Sequence, residues 1–374
     1  MINFKSGLFQ NQGHYKSFQP THINREWIIN DMKLIQLLSV TDRHIGRLDM
    51  YSEYVNIDLY TQMHIAKEAT QSTKIEGTQT NIEEVFLKKE DVAFEKRDDW
   101  QEVQNYIQAM DYGVQLLKNL PFSTRLIKQT HKLLLQGVRG EHKLPGQYRK
   151  SQNWIGGATI NDAVFIPPAQ NTVDDLISDI EKFANDLQNP MPELLKIALI
   201  HYQFETIHPF LDGNGRVGRL LITLYLVNKG ILKRPILYLS DFFEQHRSLY
   251  YDNLMRVRTH NDINQWFKFF LTGVIETAKK GVETFHEIMD LSKQVERKIT
   301  KLGARSSDAH KIMSYLYSNP VIDAQKVSEI IEKNPQSAYQ LINKLETISI
   351  LKEITGSRRN RLYIFDAYLD IFNK

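Results

Sequence analysis

Apolar side chains recur along most of this chain at spacings of three and four residues, which is the period of an amphipathic helix. The pattern predicts helices over residues 24–76, 99–118, 123–136, 174–187, 193–207, 216–229 and 264–302. Gly77 and Gly230 are expected to end two of these helices. Pro121 and Ser123 are expected at the start of another. The pattern therefore indicates a mainly α protein.

One stretch interrupts the helical pattern between residues 145 and 168. Glycines separate short β-prone segments there, including 153–155 and 163–166, and Pro167-Pro168 closes the stretch. This arrangement predicts a β-hairpin on a helical body.

The tail has a pattern of its own beyond a predicted linker, Gly303 to Ser307. It predicts helices at 308–317, 325–332 and 335–345, then strands at 350–354 and 361–365. This order is that of a winged helix-turn-helix, whose third helix is the recognition element. The polar candidates for contact on that helix and the wing are Gln336, Ser337, Tyr339, Gln340, Asn343, Arg358, Arg359 and Arg361. DNA binding and protein interaction both stay open as roles of the tail.

Composition narrows the classes of function. The 374 residues are 42% apolar and 24% charged, which allows two or three domains with a sizeable core. There is no cysteine, so disulfides, thiolate metal sites and a cysteine nucleophile are excluded. A net charge of +3 gives no global field for nucleic acid. No apolar run is long enough for a signal peptide or a membrane span, which predicts a cytoplasmic protein without a membrane partner.

The segment HPFLDGNGRVGR, residues 208–219, carries the candidate chemistry. One helix ends before it, and Pro209 prevents easy continuation. Gly213 and Gly215 allow a sharp turn at the start of the next helix. The free N–H groups of that helix end favour an anion.

Four side chains in the segment suit attack of a hydroxyl on a phosphoryl centre. Arg216 and Arg219 lie three residues apart and can both bind phosphate oxygens. Asp212 is a hard oxygen ligand for Mg²⁺. His208 is the group that can accept a proton near neutral pH.

This string matches the signature of the Fic family, HPFxDGNGRxxR, without departure. The chain therefore resembles Fic proteins. The resemblance implies a Fic-fold helical bundle with a β-hairpin flap, to which the pattern of the tail adds a C-terminal winged helix-turn-helix domain. It also implies transfer of AMP from ATP to a Ser, Thr or Tyr hydroxyl of an unidentified target protein, with Mg²⁺ or Mn²⁺. A homodimer is plausible on the same ground. The implied regions are an N-terminal helical region (1–96), a catalytic core (97–302) and the tail (303–374).

The resemblance also implies roles for individual residues. His208 would be the general base, Asp212 the metal ligand and Phe210 a core anchor for the loop. Arg216 would contact the β-phosphate region and Arg219 the γ-phosphate. The full set of implied ATP-binding residues is Gly213, Asn214, Gly215, Arg216, Val217, Gly218, Arg219, Tyr250, Tyr251 and Leu254. The part of the flap that would pair with the target consists of Asp162, Ala163, Val164 and Phe165.

A second motif lies ahead of the core at residues 72–77, STKIEG. It resembles the inhibitory signature of Fic proteins, in which Glu76 would bind Arg219 and Ser72 would support Glu76 from one turn earlier. The implied enzyme is therefore inhibited in cis by its own N-terminal region.

Two other functions compete with AMP transfer. The first is a DNA-binding regulator whose Fic core senses a nucleotide, although such a protein would have no need of His208. The second is a related Fic reaction that removes AMP or transfers another phosphate-containing group.

Overall fold

The computed structural model describes residues 4–54 and 57–374, without the side chain of Tyr54. The predicted helical stretch 24–76 includes residues 55 and 56, which lie outside the described part. The helices of the body are α1 (Met32–Tyr54), α2 (Asp58–Ile75), α3 (Ile82–Val85), α4 (Arg97–Leu116), α5 (Thr124–Leu134), α6 (Val173–Asn185), α7 (Glu193–Ile207), α8 (Asn214–Asn228), α9 (Leu239–Gln245), α10 (Arg247–His260) and α11 (Ile263–Thr300). The first strands are β1 (Gly7–Asn11) and β2 (Lys16–Pro20).

Most predicted helices are confirmed to within a few residues. The helix predicted at 193–207 is α7 itself, and Ser123 caps α5 through a bond from Leu126 N. The prediction for residues 24–31 was wrong, because α1 begins only at Met32. Asp31 marks this start, since its carboxylate accepts a hydrogen bond from Leu34 N at 3.1 Å.

Helix α7 forms the centre of the bundle. Every residue from Leu194 to Ile207 is buried, and α8 and α6 pack along it. Helix α11 also contacts α7, and Trp266 donates its indole N–H to the carbonyl of Ala198 at 2.7 Å. A helix enclosed on all sides holds its last residue rigidly, and α7 ends directly at His208.

A two-stranded hairpin that the sequence pattern did not indicate lies near the N-terminus. Strands β1 and β2 pair antiparallel, with Gly7 opposite Pro20. The backbone N–H of Phe18 donates to the carbonyl of Ile166 at 2.9 Å, so this hairpin is attached to the 153–168 stretch.

The 153–168 stretch itself is only partly the predicted hairpin. It contains one isolated antiparallel bridge, between Ile155 and Phe165, and no named strand. Gly156 and Gly157 have φ of 70° and 75°, so the chain leaves the extended conformation directly after Ile155. Pro167 and Pro168 have no N–H to donate on the returning side.

The tail forms α12 (Ser306–Ser318), β3 (Val321–Asp323), α13 (Ala324–Ile331), α14 (Pro335–Thr347), β4 (Lys352–Glu353), β5 (Leu362–Ile364) and α15 (Asp366–Phe372). The three strands form an antiparallel sheet in the order β3-β5-β4. The helices overlap the predicted ones, whereas β3 and α15 were not predicted. The predicted linker is a single 3-10 turn, Gly303–Arg305, and α12 follows it at once.

The tail packs directly on α2. The ring of Tyr60 lies 5.3 Å from that of Tyr317 and 6.4 Å from that of Tyr368, measured between centroids. Lys67 Nζ donates to the carbonyl of Phe372 at 2.8 Å. The division at residue 302 therefore crosses a packed interface. No helix within residues 4–54 and 57–374 is long and apolar enough to cross a membrane.

The folded protein should lose stability as the pH falls below about 6.5. Burial lowers the pKa of four histidines to about 3 or about 4, namely His64, His131, His201 and His208. The unfolded chain binds a proton at each of these histidines once the pH falls below about 6.5. The folded chain binds them only when the pH reaches its own, lower pKa values. Glu205 and Glu68 act in the opposite direction, since burial raises the pKa of each carboxyl, to about 7 for Glu205. Because the four histidines outnumber the two carboxyls, we expect the free energy of unfolding to fall as the pH drops from about 6.5 to 5.

Urea unfolding at pH 7.5, 6.0 and 5.0 measures this loss. His64 has no hydrogen-bond partner for either ring nitrogen, so His64→Phe should reduce the pH slope by about one proton. The exposed His14 provides the matched control, and His14→Gln should leave the slope unchanged. An unfolding midpoint that is the same at pH 7.5 and 5.0 contradicts the prediction.

Candidate active site

The turn between α7 and α8 presents the candidate catalytic residues. His208 caps α7 in the left-handed conformation, with φ 49° and ψ 62°, and its N–H donates to Phe204 O. Gly213 precedes α8, also left-handed, with φ 75°. Such a φ is uncommon for a residue with a side chain, so the surrounding contacts must hold His208 in place.

Two asparagines fix the shape of this loop. Asn214 closes it from within, since its Oδ1 accepts from Phe210 N at 2.8 Å and its Nδ2 donates to Phe210 O at 2.9 Å. Asn153, from the flap, donates to the carbonyls of His208 and Phe210 at 3.1 and 2.9 Å. The ring of Phe210 stacks on that of His131 at 3.6 Å, which confirms it as a core anchor. The side chain of Asn214 thus holds the loop together, and its backbone N–H remains available to a nucleotide at the start of α8.

Arg149 holds the same loop from the other side. Its side chain is buried and donates to the carbonyls of His208 at 3.0 Å, Pro168 at 2.5 Å, Ser151 at 3.3 Å and Ile207 at 3.3 Å. One buried cation therefore ties the base of the flap to the left-handed turn. Burial lowers the pKa of Arg149 to about 10.

His208 is prepared to accept a proton. Burial lowers its pKa to about 3, and the positive charges of Arg258 and Arg149 act in the same direction. Its Nδ1 is buried, which leaves Nε2 as the ring nitrogen that an incoming hydroxyl can reach. The imidazole is therefore neutral at physiological pH, which is the form that a general base requires.

The first turn of α8 supplies backbone N–H groups for an anion. The first helical bond runs from Val217 N to Gly213 O at 3.0 Å, so the N–H groups before Val217 are not used by the helix. Arg216, in contrast, is held by carboxylates. Its NH1 lies 2.8 Å from Glu102 Oε2 and its NH2 lies 3.5 Å from Asp212 Oδ1.

Asp212 fits the role of a ligand for a divalent cation that arrives with phosphate. Its side chain is 40% exposed, and its Oδ1 accepts from Gly213 N at 2.6 Å. No group of three or more His, Asp or Glu side chains that could hold a metal occurs within residues 4–54 and 57–374. Mg²⁺ is commonly bound by one or two carboxylates together with phosphate oxygens and water, and Asp212 offers one such carboxylate.

Arg219 is engaged by the end of α2. Its NH2 donates to Glu76 Oε1 at 2.6 Å and to Ser72 O at 2.8 Å, and its Nε donates to Ser72 Oγ at 2.9 Å. Burial alone would raise the pKa of Glu76, but the charge and hydrogen bond of Arg219 outweigh it and lower that pKa. Burial likewise opposes the charge of Arg219, yet Glu76 raises the pKa of this arginine above its ordinary value. Ser72 therefore binds Arg219 directly, whereas we had expected it to support Glu76.

Gly215 leaves room for this ion pair. A Cβ atom at position 215 would lie 2.4 Å from Glu76 Oε1 and 2.8 Å from Arg219 NH1. The glycine is therefore required for the close approach of Glu76 to the first turn of α8, independently of its role in the turn.

The flap residues divide into anchors and exposed positions. Asp162 accepts from Ala158 N, Thr159 N and the Thr159 hydroxyl, and these bonds lower its pKa to about 2. Phe165 is buried beneath Arg258, whose guanidinium lies 3.9 Å from its ring centroid. Both side chains anchor the flap itself, and main-chain pairing of residues 162–165 with a target stays a prediction. Val164 is 66% exposed and Ala163 is half-buried, so these two stay available for pairing.

Several predicted nucleotide contacts lie in the core. Tyr250 and Leu254 are buried, and the Tyr250 hydroxyl bonds to His201 Nε2 at 2.8 Å. Of the two neighbouring tyrosines, Tyr250 and Tyr251, the second lies on the surface, at 40% exposure. Val217 is fully buried, and a Cβ at Gly218 would lie 2.2 Å from Glu205 Oε1. The side-chain positions of Val217 and Gly218 thus face the core, because they lie on the inner side of α8.

The sequence reasoning missed Arg149, Asn153, Glu102 and Glu205. Each acts on the loop or its arginines from another element, and none belongs to a recognisable local pattern. Glu205 precedes His208 by one turn of α7, and its Oε1 is buried without a partner. Only the spacing of Glu205 from His208 could have suggested it.

Comparison with known proteins agrees with this geometry. A model described as Fic/DOC family N-terminal matches residues 35–115, and one described as Fic/DOC family matches residues 121–226. A protein adenylyltransferase Fic from Aedes aegypti is 34% identical over 125 residues, which is 33% of this chain and 22% of that protein. One from Drosophila grimshawi is 29% identical over 174 residues, which is 46% of this chain and 33% of that protein. The chain thus spans a third or less of the length of these relatives.

Solved structures share the fold. A Fic family protein from Desulfovibrio desulfuricans G20 superposes with a TM-score of 0.60 at 20% identity, covering 91% of this chain and 98% of that one. Fic-1 from C. elegans superposes with a TM-score of 0.52 at 20% identity, covering 69% of this chain and 76% of that one. With the HPFxDGNGRxxR turn and both family models in place, the chain belongs to the Fic/DOC family.

Proposed function

We propose that this protein transfers AMP from ATP to a Ser, Thr or Tyr hydroxyl of a target protein. The observation that carries the proposal is the left-handed His208, neutral near physiological pH, at the turn that leads into the free N–H groups of α8. A proton acceptor next to an anion site suits attack of a hydroxyl on a phosphate. The names of the Aedes and Drosophila relatives support the same reaction.

A few residues carry out the steps of the proposed transfer reaction. His208 takes the proton of the target hydroxyl, whose oxygen attacks the α-phosphorus of ATP. The bond to the β-phosphate oxygen breaks, and pyrophosphate leaves. The N–H groups of α8 and the guanidinium groups of Arg216 and Arg219 stabilise the negative charge of the phosphates. A Mg²⁺ or Mn²⁺ held by Asp212 would neutralise further charge on the phosphates.

We further propose that Glu76 inhibits the enzyme in cis. Arg219 is the second arginine of the motif, and Glu76 and Ser72 take up its Nε and NH2 donors. An arginine held in this way is not available to the γ-phosphate. ATP would then bind with its α-phosphate out of line with the incoming hydroxyl.

The decisive test uses two labels. Incubation of the protein and a cell lysate with α-labelled or γ-labelled ATP separates the candidate reactions. Label transferred from the α position only supports AMP transfer and reveals the size of the target. Transfer from the γ position, or release of AMP from a modified protein, supports one of the related Fic reactions instead.

Replacement of Asp212 should change the metal dependence more than the binding of nucleotide. Asp212→Asn keeps the side-chain size and removes the charge that attracts the cation. We expect the Mg²⁺ concentration at half-maximal transfer to rise about tenfold or more, with ATP affinity in the absence of metal unchanged. Asp174→Asn, an exposed position on α6, is the control. An unchanged Mg²⁺ dependence of Asp212→Asn would remove this residue from the metal site.

A DNA-binding role of the tail is the second candidate. The order α12, β3, α13, α14, β4, β5 supports its classification as a winged helix. Gln336, Tyr339, Gln340 and Asn343 are exposed on α14, as a recognition helix would require. Direct contact of the tail with α2 instead favours a regulatory role within the chain, so we expect weak or no duplex binding near physiological salt. Homodimer formation stays a prediction from the family resemblance.

A further inference from the structure

A cavity of about 380 Å³ lies beside α2, away from any residue that the proposed reaction uses. Its walls come from α2, the segment that joins α2 to α3, and the end of α15. The lining residues are Lys67, Thr70, Gln71, Lys74, Thr78, Gln79, Thr80, Asn81, Ile82, Phe372 and Asn373. This lining includes two lysines and neither Asp nor Glu. Its composition therefore favours a negatively charged ligand.

Three polar atoms of this lining are buried and have no partner. They are Gln71 Oε1, Thr78 Oγ1 and Thr80 Oγ1. Thr78 is 3% exposed and Thr80 is 4% exposed, so bulk water does not solvate their hydroxyls. Buried polar groups are normally hydrogen-bonded, and both hydroxyls and the amide of Gln71 can donate after a simple rotation. Thr78, Thr80 and Gln71 therefore have unused hydrogen-bonding capacity in the wall of the cavity.

Each of the two lysines of the lining contacts a carboxylate, and the contact of Lys67 is long and shared. Lys67 is buried, and its nearest carboxylate, Asp241, lies 3.7 Å away and is shared with Lys280 at 2.8 Å. Burial lowers the pKa of Lys67, and Asp241 offsets this only in part. Lys74 pairs with Glu244 at 3.1 Å. Lys67 thus has a distant, shared carboxylate as its ion-pair partner, and its ammonium is held by the carbonyl of Phe372 at 2.8 Å.

We propose that this cavity binds a phosphate-type oxyanion, either free or as the head group of a small metabolite. Lys67 and Lys74 supply the charge, and Thr78, Thr80 and Gln71 supply the hydrogen bonds. The volume exceeds that of a phosphate ion, so a small organic group fits beside it.

The consequence of binding rests on the proposed inhibition by Glu76. Gln71 directly precedes Ser72, and Thr78 follows Glu76 by two residues. A ligand that contacts both Gln71 and Thr78 holds the last turn of α2 in place and so keeps Glu76 bound to Arg219. By linkage, a ligand that favours this conformation lowers the transfer rate further.

Binding is tested on the full chain without ATP, by calorimetry with inorganic phosphate or glycerol 3-phosphate at constant ionic strength. Thr78→Val/Thr80→Val keeps the shape and removes both hydroxyls, and should weaken one binding event about tenfold or more. Lys74→Met should weaken the same event. Thr347→Val, exposed on α14, is the matched control. Phosphate that still binds to the double variant with wild-type affinity is assigned to the N-terminus of α8.

The outcomes separate the alternatives. Tighter binding of glycerol 3-phosphate indicates a metabolite head group, and tighter binding of phosphate indicates the free ion. Identical affinity and stoichiometry in wild type and Thr78→Val/Thr80→Val, or no binding of either probe, overturns the site. Because this measurement contains no transfer step, its result does not depend on whether the protein transfers AMP. Inhibition of wild type by the probe, and no inhibition of Glu76→Gly, would then establish the regulatory link.

Discussion

Replacement of His208 by alanine should reduce transfer by about 10²–10⁴-fold, because this is the range that a positioned general base contributes. Burial lowers the pKa of His208 to about 3, so the imidazole is neutral near physiological pH and one ring nitrogen can accept a proton. Alanine removes the proton acceptor and leaves the N–H groups of α8 and both arginines intact. ATP affinity should therefore stay within about threefold of its starting value.

The experiment is best made in the Glu76→Gly background, where the starting rate is high enough to measure a loss. Transfer is followed with α-labelled ATP, and nucleotide affinity by calorimetry. His260→Ala, at the exposed end of α10, is the matched control and should behave as the parent does. Near-normal transfer by His208→Ala would rule out the base assignment. A parallel loss of ATP affinity would instead indicate that the left-handed turn collapses without the imidazole.

The Glu76→Gly variant should transfer AMP on the order of 10²-fold faster than wild type. The carboxylate holds Arg219 NH2 at 2.6 Å, a short charge-assisted bond in which the Arg219 side chain is buried and the Glu76 side chain is 36% exposed. Its removal frees Arg219 to contact the γ-phosphate and brings the α-phosphate into line. A displacement of about 1 Å at the reacting centre can change a rate by about 10²-fold, which sets the expected size.

Arg219 provides the internal check on this prediction. Glu76→Gly/Arg219→Ala should lose most of the gain, because the γ-phosphate contact is then missing as well. Ser72→Ala removes the 2.9 Å bond to Arg219 Nε but leaves the bond to Ser72 O, so it should raise the rate only several-fold. Glu90→Gly, exposed before α4, is the matched control and should not change the rate. A wild-type rate in Glu76→Gly would contradict inhibition by this helix.

Local signals in the sequence placed most of the helices and the central loop. Helical periodicity located α7 to the residue, and Ser123 gave the start of α5. Gly213 indicated the turn before α8, where the structure has φ 75°. These features depend on residues within a few positions of one another, so the chain alone reveals them. The residues of the candidate site were found through one contiguous string and its likeness to Fic proteins.

Contacts between distant segments were decided only by the packing of the helices. Glu76 and Arg219 meet across 143 positions of sequence, and the resemblance suggested this pair without giving its geometry or the direct bonds of Ser72 to Arg219. The burial of Tyr250 in the core and the attachment of Arg149 to His208 had no local signal. The sequence determined which side chains could perform the chemistry, because residue type and helical period are local. The tertiary structure decided which of them face the site, because burial and pairing depend on neighbours that the chain brings together only on folding.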